Sequence, residues 1–212
     1  MAKQLSAALE RWSYRPSRAR LLAAPSQRTK RDLEQHFRGA EVVVIPNGVD
    51  TDRFSPDSDA RRQLRTAEGV SDSEVVALFV GRLWHGKGLD ISIEAMAAMA
   101  SSWANLRLWA LGGGDPGEFV RLAERLGVRD RVSFFGRRED AERFFQAADI
   151  FVSPSLTETF GLTCYEAAAC GLPLVATSVG GVEEILGDGQ AGFVAERTAT
   201  AFAEAIDRKS VV

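Results

Sequence analysis

Two glutamates, Glu158 and Glu166, stand eight residues apart in the segment 153–166, SPSLTETFGLTCYE. A carboxylate accepts two hydrogen bonds side by side, so each suits the vicinal diol of a sugar or a ribose. Gly161 lies between them, where a helix can start. Glu158 then falls in a loop and Glu166 about a turn and a half inside the helix. Such a pair could hold a sugar on one side and a ribose on the other. A diphosphate between them would meet the N–H groups of Phe160, Gly161 and Leu162 at the positive end of the helix. The ordinary reading of the same residues is a capping Glu158 and a solvated Glu166.

A second segment, GRLWHGKG at 81–88, nearly matches the phosphate loop GxxxxGK followed by Ser or Thr. Position 88 is glycine, so the hydroxyl that would hold Mg²⁺ is missing and nucleotide hydrolysis is disfavoured. Gly81 still offers a backbone N–H, and Arg82 and Lys87 add positive charge, which suits a phosphate. The ordinary reading is a glycine-rich turn with solvated cations. Residues 112–117, GGGDPG, satisfy GxGxxG, but Pro116 fits a phosphate turn poorly. A flexible turn beside a ligand is expected there. Asp50 with Asp52, and Asp57 with Asp59, read D-x-D, a metal-diphosphate pattern whose common alternative is a solvated capping loop. His36, His85, Cys164 and Cys170 lack zinc-ligand spacing, and no metal site is expected.

The residues around these segments alternate strand-like and helix-like stretches. Apolar runs at 75–80, 106–111 and 150–152 suit buried parallel strands, with shorter strands at 42–45, 132–135, 174–176 and 192–194. Helices are expected at 87–100, 118–126, 140–148, 161–170, 182–186 and 199–207. Alternation with short loops predicts an α/β fold, a Rossmann-like doubly wound parallel sheet, with ligands at the carboxyl ends of its strands. Each chemical segment follows a strand.

Composition agrees with a packed domain: 45% of the 212 residues are hydrophobic and 26% charged. No apolar stretch approaches the ~18 residues of a membrane span, and the N-terminus is too polar for a signal peptide. Two cysteines without CxxC spacing point to a reducing, cytoplasmic compartment. Residues 1–40 hold nine Lys or Arg against three acidic residues, a charge of +6, which leaves −9 on residues 41–212 for the net −3. An acidic body excludes general nucleic-acid binding. In the basic head, residues 3–15 read as a helix with Leu5, Leu9 and Trp12 on one face, and a strand at 20–25 precedes a helix at 27–37 capped by Ser26. A lone βα unit cannot bury both faces. Residues 1–40 therefore read as the tail of another domain, and 41–212 as the main one.

The set IPNGVD at 45–50, VGRL at 80–83 with Lys87-Gly88, Gly112-Gly113-Gly114, Glu158-Thr159-Phe160-Gly161, Glu166-Ala167, GLPLVAT at 171–177 and Gly180-Gly181 resembles the C-terminal, donor-binding half of a retaining GT-B glycosyltransferase of family four, the "group 1" glycosyltransferases. The resemblance covers about residues 20–207, and the Glu158–Glu166 pair is its most specific element. It implies that Arg82 and Lys87 bind the donor diphosphate, that Glu166 holds the ribose, and that Glu158 with the backbone after Phe160 holds the sugar. Arg137 to Glu139 would border the base. The Asp of PNGVD belongs to the interdomain connection in that family.

The implied enzyme is of the hexosyltransferase type, takes a nucleoside diphosphate sugar and needs no cofactor. Glu158, Arg82 and Lys87 would be its catalytic groups. No residue reads as a covalent nucleophile beside a His base, so stabilisation of the leaving diphosphate would carry catalysis. The resemblance also implies a missing N-terminal acceptor domain, of which 1–40 is the remnant, and a C-terminal helix cut short after Asp207. A silent binding module, one half of a two-chain enzyme, and a metal-dependent D-x-D transferase remain as alternatives. For residues 3–20 there are two readings: peripheral contact with the inner face of an anionic membrane, or packing on the missing domain.

Overall fold

Strands that are apolar at every position have no solvent face and need cover on both sides. The computed structural model describes residues 12–14, 21–82, 84–187 and 189–209. It opens with β1 (Leu22–Ala24), α1 (Gln27–His36) and β2 (Val42–Val44), in which β1 and β2 pair in parallel as a two-stranded sheet. The expected strand at 42–45, counted with the main body from residue 41, thus takes its hydrogen bonds from the small unit instead. The helix expected at 3–15 lies outside the described residues except for 12–14, where Tyr14 meets the Phe37 ring at 5.1 Å.

Next come α2 (Ser58–Ala67), β3 (Val75–Val80), α3 (Trp84–Lys87), α4 (Leu89–Ala98), β4 (Leu106–Leu111), α5 (Gly117–Arg125) and β5 (Val132–Gly136). After them follow α6 (Ala141–Ala147), β6 (Ile150–Ser153), α7 (Leu162–Ala169), β7 (Leu174–Ala176), α8 (Val182–Leu186), β8 (Gly192–Val194) and α9 (Ala199–Lys209). The six strands β3 to β8 form one parallel sheet in the order β5-β4-β3-β6-β7-β8. Chain direction across the sheet therefore reverses between β3 and β6, and a crevice opens at the carboxyl ends of such neighbouring strands.

Alternate residues divide the core between two layers. Ala77, Phe79, Leu108, Ala110 and Val152 pack against Leu89, Ile93 and Met96 of α4, Phe119 of α5 and Phe202 of α9. On the opposite face, Val76, Leu78, Trp109, Leu111 and Phe151 meet Leu64 of α2, Phe144 and Phe145 of α6 and Cys164 of α7.

Two elements depart from expectation. The helix expected at 87–100 is broken at Gly88, whose φ is +80° and whose missing Cβ would lie 2.3 Å from the Pro154 carbonyl oxygen. Helix α2 was not anticipated. It starts at Asp57, whose side chain accepts from the Asp59 and Ala60 N–H groups at 2.9 Å each.

Candidate functional site

The loops at the carboxyl ends of β3, β4 and β6 are tied edge to edge through their backbones. Gly81 donates to Leu111 O at 2.9 Å, Gly112 to Gly136 O at 2.7 Å, and Leu156 to Gly86 O at 2.9 Å. Gly112 allows the first of these approaches: at φ +130° its Cβ would come within 2.0 Å of the Gly81 carbonyl oxygen. Arg197, just before α9, holds the other side through Pro154 O at 2.9 Å and His85 O at 3.1 Å. Loops pinned in this way present their side chains from a rigid rim.

Within the rim lies a cleft of about 580 Å³. Gly81, Arg82 and Lys87 line it from the β3 side, Gly112 and Gly113 from β4, Arg137 from β5, and Glu158, Leu162 and Thr163 from the β6–α7 segment. The fold thus brings most of the expected residues into one wall. Lys87 Nζ donates to Glu158 Oε1, a pair joining the glycine-rich loop to the glutamate segment. Ser155 donates to the same Glu158 oxygen at 3.1 Å and is buried. Its own carbonyl accepts from Thr177 Oγ1 at 2.6 Å. Glu158 is therefore a fixed carboxylate rather than a helix cap, and Gly161 is the N-cap residue of α7.

An ammonium carries three donors, so Lys87 can keep Glu158 and still serve a phosphate. The first N–H groups of α7 have no partner within their own helix, which adds donors beside Leu162. The chemistry on offer suits an anion flanked by hydroxyl groups: cations and amides for phosphate, a carboxylate for a diol.

Other expected residues stand apart from the cleft wall. Phe160 is buried, its ring stacked on Tyr165 at 4.2 Å, so only its backbone is available. Glu166 is partly buried on α7 and lies outside the lining residues. Burial pushes its pKa up, against the pull of the Arg53 charge. Gly112 and Gly113 do border the cleft, as a turn. His85 pairs instead with Glu118 at 3.0 Å. The D-x-D pairs are local: Asp50 Oδ1 accepts from the Asp52 and Arg53 N–H groups at 3.1 Å, and Asp57 caps α2. Burial raises Cys164 to about 12 and Cys170 to about 11, which keeps both thiols protonated and unreactive.

Ser155, Thr177 and Arg53 were missed. Arg53 donates to Glu142 at 2.9 and 2.6 Å and to Glu139 O at 2.6 Å, which ties the connection after β2 to the loop bordering the cleft. The partners of Arg53 are more than 80 residues away in sequence, so no local pattern could flag them, whereas Ser155 stands only three residues from Glu158.

The sequence model for "Glycosyl transferases group 1" matches residues 74–209, and that for "Glycosyltransferase Family 4" matches 1–53. A D-inositol 3-phosphate glycosyltransferase of Mycobacterium sp. is 38% identical over 161 residues, 72% of this chain and 35% of that protein. The lipopolysaccharide glucosyltransferase WaaG of Escherichia coli is 31% identical over 193 residues, 89% of this chain and 52% of that protein. A crystal structure of WaaG superposes with a TM-score of 0.82 at 29% identity, covering 90% of this chain and 54% of that one. Anabaena HepE, solved with UDP and glucose, gives 0.80 at 29% identity, covering 89% and 52%. The chain spans between a third and about half the length of these relatives.

Proposed function

The chain belongs to the glycosyl transferases group 1 family, and on that premise we propose that its cleft binds the donor, a nucleoside diphosphate sugar. The observation that carries this reading is the Lys87–Glu158 pair at the switch point of the sheet. One cation for phosphate and one carboxylate for sugar hydroxyls are held together in one wall. Arg82, Lys87 and the start of α7 take the diphosphate. Glu158 and the backbone at Phe160, Gly161 and Leu162 take the sugar, Glu166 the ribose, and Arg137 borders the base. Solved relatives that hold UDP with glucose or UDP-glucose support the ligand class.

Transfer with retention of configuration is the reaction we assign to the enzyme of which this domain is the donor half. Its driving feature is stabilisation of the leaving diphosphate by two cations and a helix end. No cofactor enters this scheme. We assign residues 1–40, with β2, to the end of an acceptor-side domain; the family-four match over 1–53 supports this. The two free thiols fit work in the cytoplasm.

A thermal-shift panel of UDP, GDP, ADP and their sugars tests the reading. At least one diphosphate should raise the melting temperature. Lys87→Ala and Arg82→Ala should each weaken that diphosphate roughly tenfold or more while leaving the nucleoside alone, because a charge-assisted hydrogen bond contributes ~1.5–3 kcal/mol. Equal losses for nucleoside and diphosphate would remove the two cations from the phosphates. EDTA should leave binding unchanged; abolition with rescue by Mn²⁺ would favour the D-x-D alternative.

A further inference from the structure

The first turn of α1 reaches the loop that carries Glu158. Thr29 Oγ1 donates to the Thr159 carbonyl at 2.8 Å, and Ser26 Oγ lies 3.0 Å from the same oxygen. A carbonyl has two lone pairs and can accept both hydroxyls. Ser26 is fully buried, and its Oγ also accepts the Thr29 N–H at 3.1 Å as the N-cap of α1. Beside them, Arg28 donates to Ser178 O at 2.5 Å and the Gln27 N–H to Glu184 at 2.8 Å. Helix α1 thus grips the β6–α7 loop, the β7–α8 loop and α8.

A trans peptide points its C=O and N–H in opposite directions. Fixing the Thr159 carbonyl on α1 therefore turns the Phe160 N–H away from α1. It also sets the path of the chain from Glu158 into Gly161. Residues from a separate βαβ unit so define the backbone of the loop whose carboxylate stands in the cleft.

We propose that Thr29 and Ser26 are positioning residues for the sugar end of the cleft, acting through the Thr159 carbonyl on Glu158 and the Phe160 amide. This role rests on the donor-cleft reading above. Neither residue lines the cleft. Neither hydroxyl is bonded to Arg82, Lys87 or Arg137, the side chains assigned to the diphosphate and the base.

Thr29→Val keeps the shape and removes the donated bond, whereas Thr29→Ser keeps the hydroxyl. Two measurements on the full chain decide the matter: amide hydrogen exchange over residues 157–163, and affinities for UDP-glucose and UDP. In Thr29→Val, exchange at 157–163 should rise about fivefold, the range expected for one lost hydrogen bond. UDP-glucose affinity should fall by a similar factor relative to UDP, with UDP itself unchanged, and Thr29→Ser should restore both. Unchanged exchange in Thr29→Val overturns the clasp. Equal loss of UDP and UDP-glucose shows a general loosening and overturns the positioning role. If the wild-type chain binds another diphosphate of the panel and its sugar, that pair replaces UDP and UDP-glucose. A wild-type chain that binds none of the panel fails the donor reading and the positioning role with it, and unchanged exchange then decides the clasp separately.

Discussion

Lys87 and Glu158 neutralise each other at the rim of the cleft, and Ser155 holds the carboxylate in place. Glu166 is in a different situation. Burial raises its pKa, so the folded chain holds that proton more tightly than the unfolded chain. Above the folded value the buried charge weakens the fold; below the ordinary glutamate value of about 4.3 it is protonated in both states and the cost vanishes. Glu166→Gln is therefore expected to raise the melting temperature by a few degrees near pH 7 and to change it little near pH 4. If Glu166 holds the ribose, the same variant should weaken ribonucleotide binding more than that of 2′,3′-dideoxy analogues. Equal weakening of both would remove Glu166 from the ribose. A residue that strains the fold and improves a site is a familiar trade.

Helix α2 depends on a buried polar knot. Arg65 is 2% exposed and donates to Asp149 at 2.9 Å, to Ser71 O at 2.7 Å and to Glu74 O at 2.5 Å. Asp149 also accepts from the Val76 N–H at 2.7 Å, at the start of β3. The knot thus joins α2 to the amino ends of β3 and β6, the edge opposite the cleft. Arg65→Ala removes one of the two guanidinium partners of Asp149, which keeps Arg61 at 2.5 Å, and takes a donor from the Ala147, Ser71 and Glu74 carbonyls. It should cost roughly 2 kcal/mol in urea unfolding. A loss under about 1 kcal/mol would mean that Arg61, the Val76 N–H and water together satisfy Asp149 without Arg65.

Across the whole molecule, the small unit meets the larger one where α1 bonds to the β6–α7 loop, the β7–α8 loop and α8. No described helix is long and apolar enough to cross a membrane. The cations of residues 3–20 raise the separate question of an anionic membrane surface. If that segment binds membranes, the chain should co-sediment with anionic but not neutral vesicles, less so at high salt, and not after deletion of residues 1–20. Binding that survives the deletion, or none at low salt, leaves packing on another domain as the reading of this segment.

The strand–helix alternation was legible in the sequence because buried parallel strands are apolar at consecutive positions, as at 75–80 and 106–111. The glycine-rich loop and Glu158 were legible as parts of one wall because the spacing of such segments is local, whereas Glu166 stands outside that wall. Helix α2 carried a local signal too, an aspartate cap at Asp57, which reads in the sequence as a capping loop without placing the helix it starts. The pairing of β2 with β1 had no such signal, since a three-residue valine run fits either sheet. Nor did the partners of Arg53, Arg65 and Thr29, each set by contacts between distant segments. Side-chain period and turn chemistry act over a few residues, so one chain displays them. Which hydroxyl meets which carbonyl depends on how whole elements pack, and that is determined only once the sheet has brought its loops to a common edge.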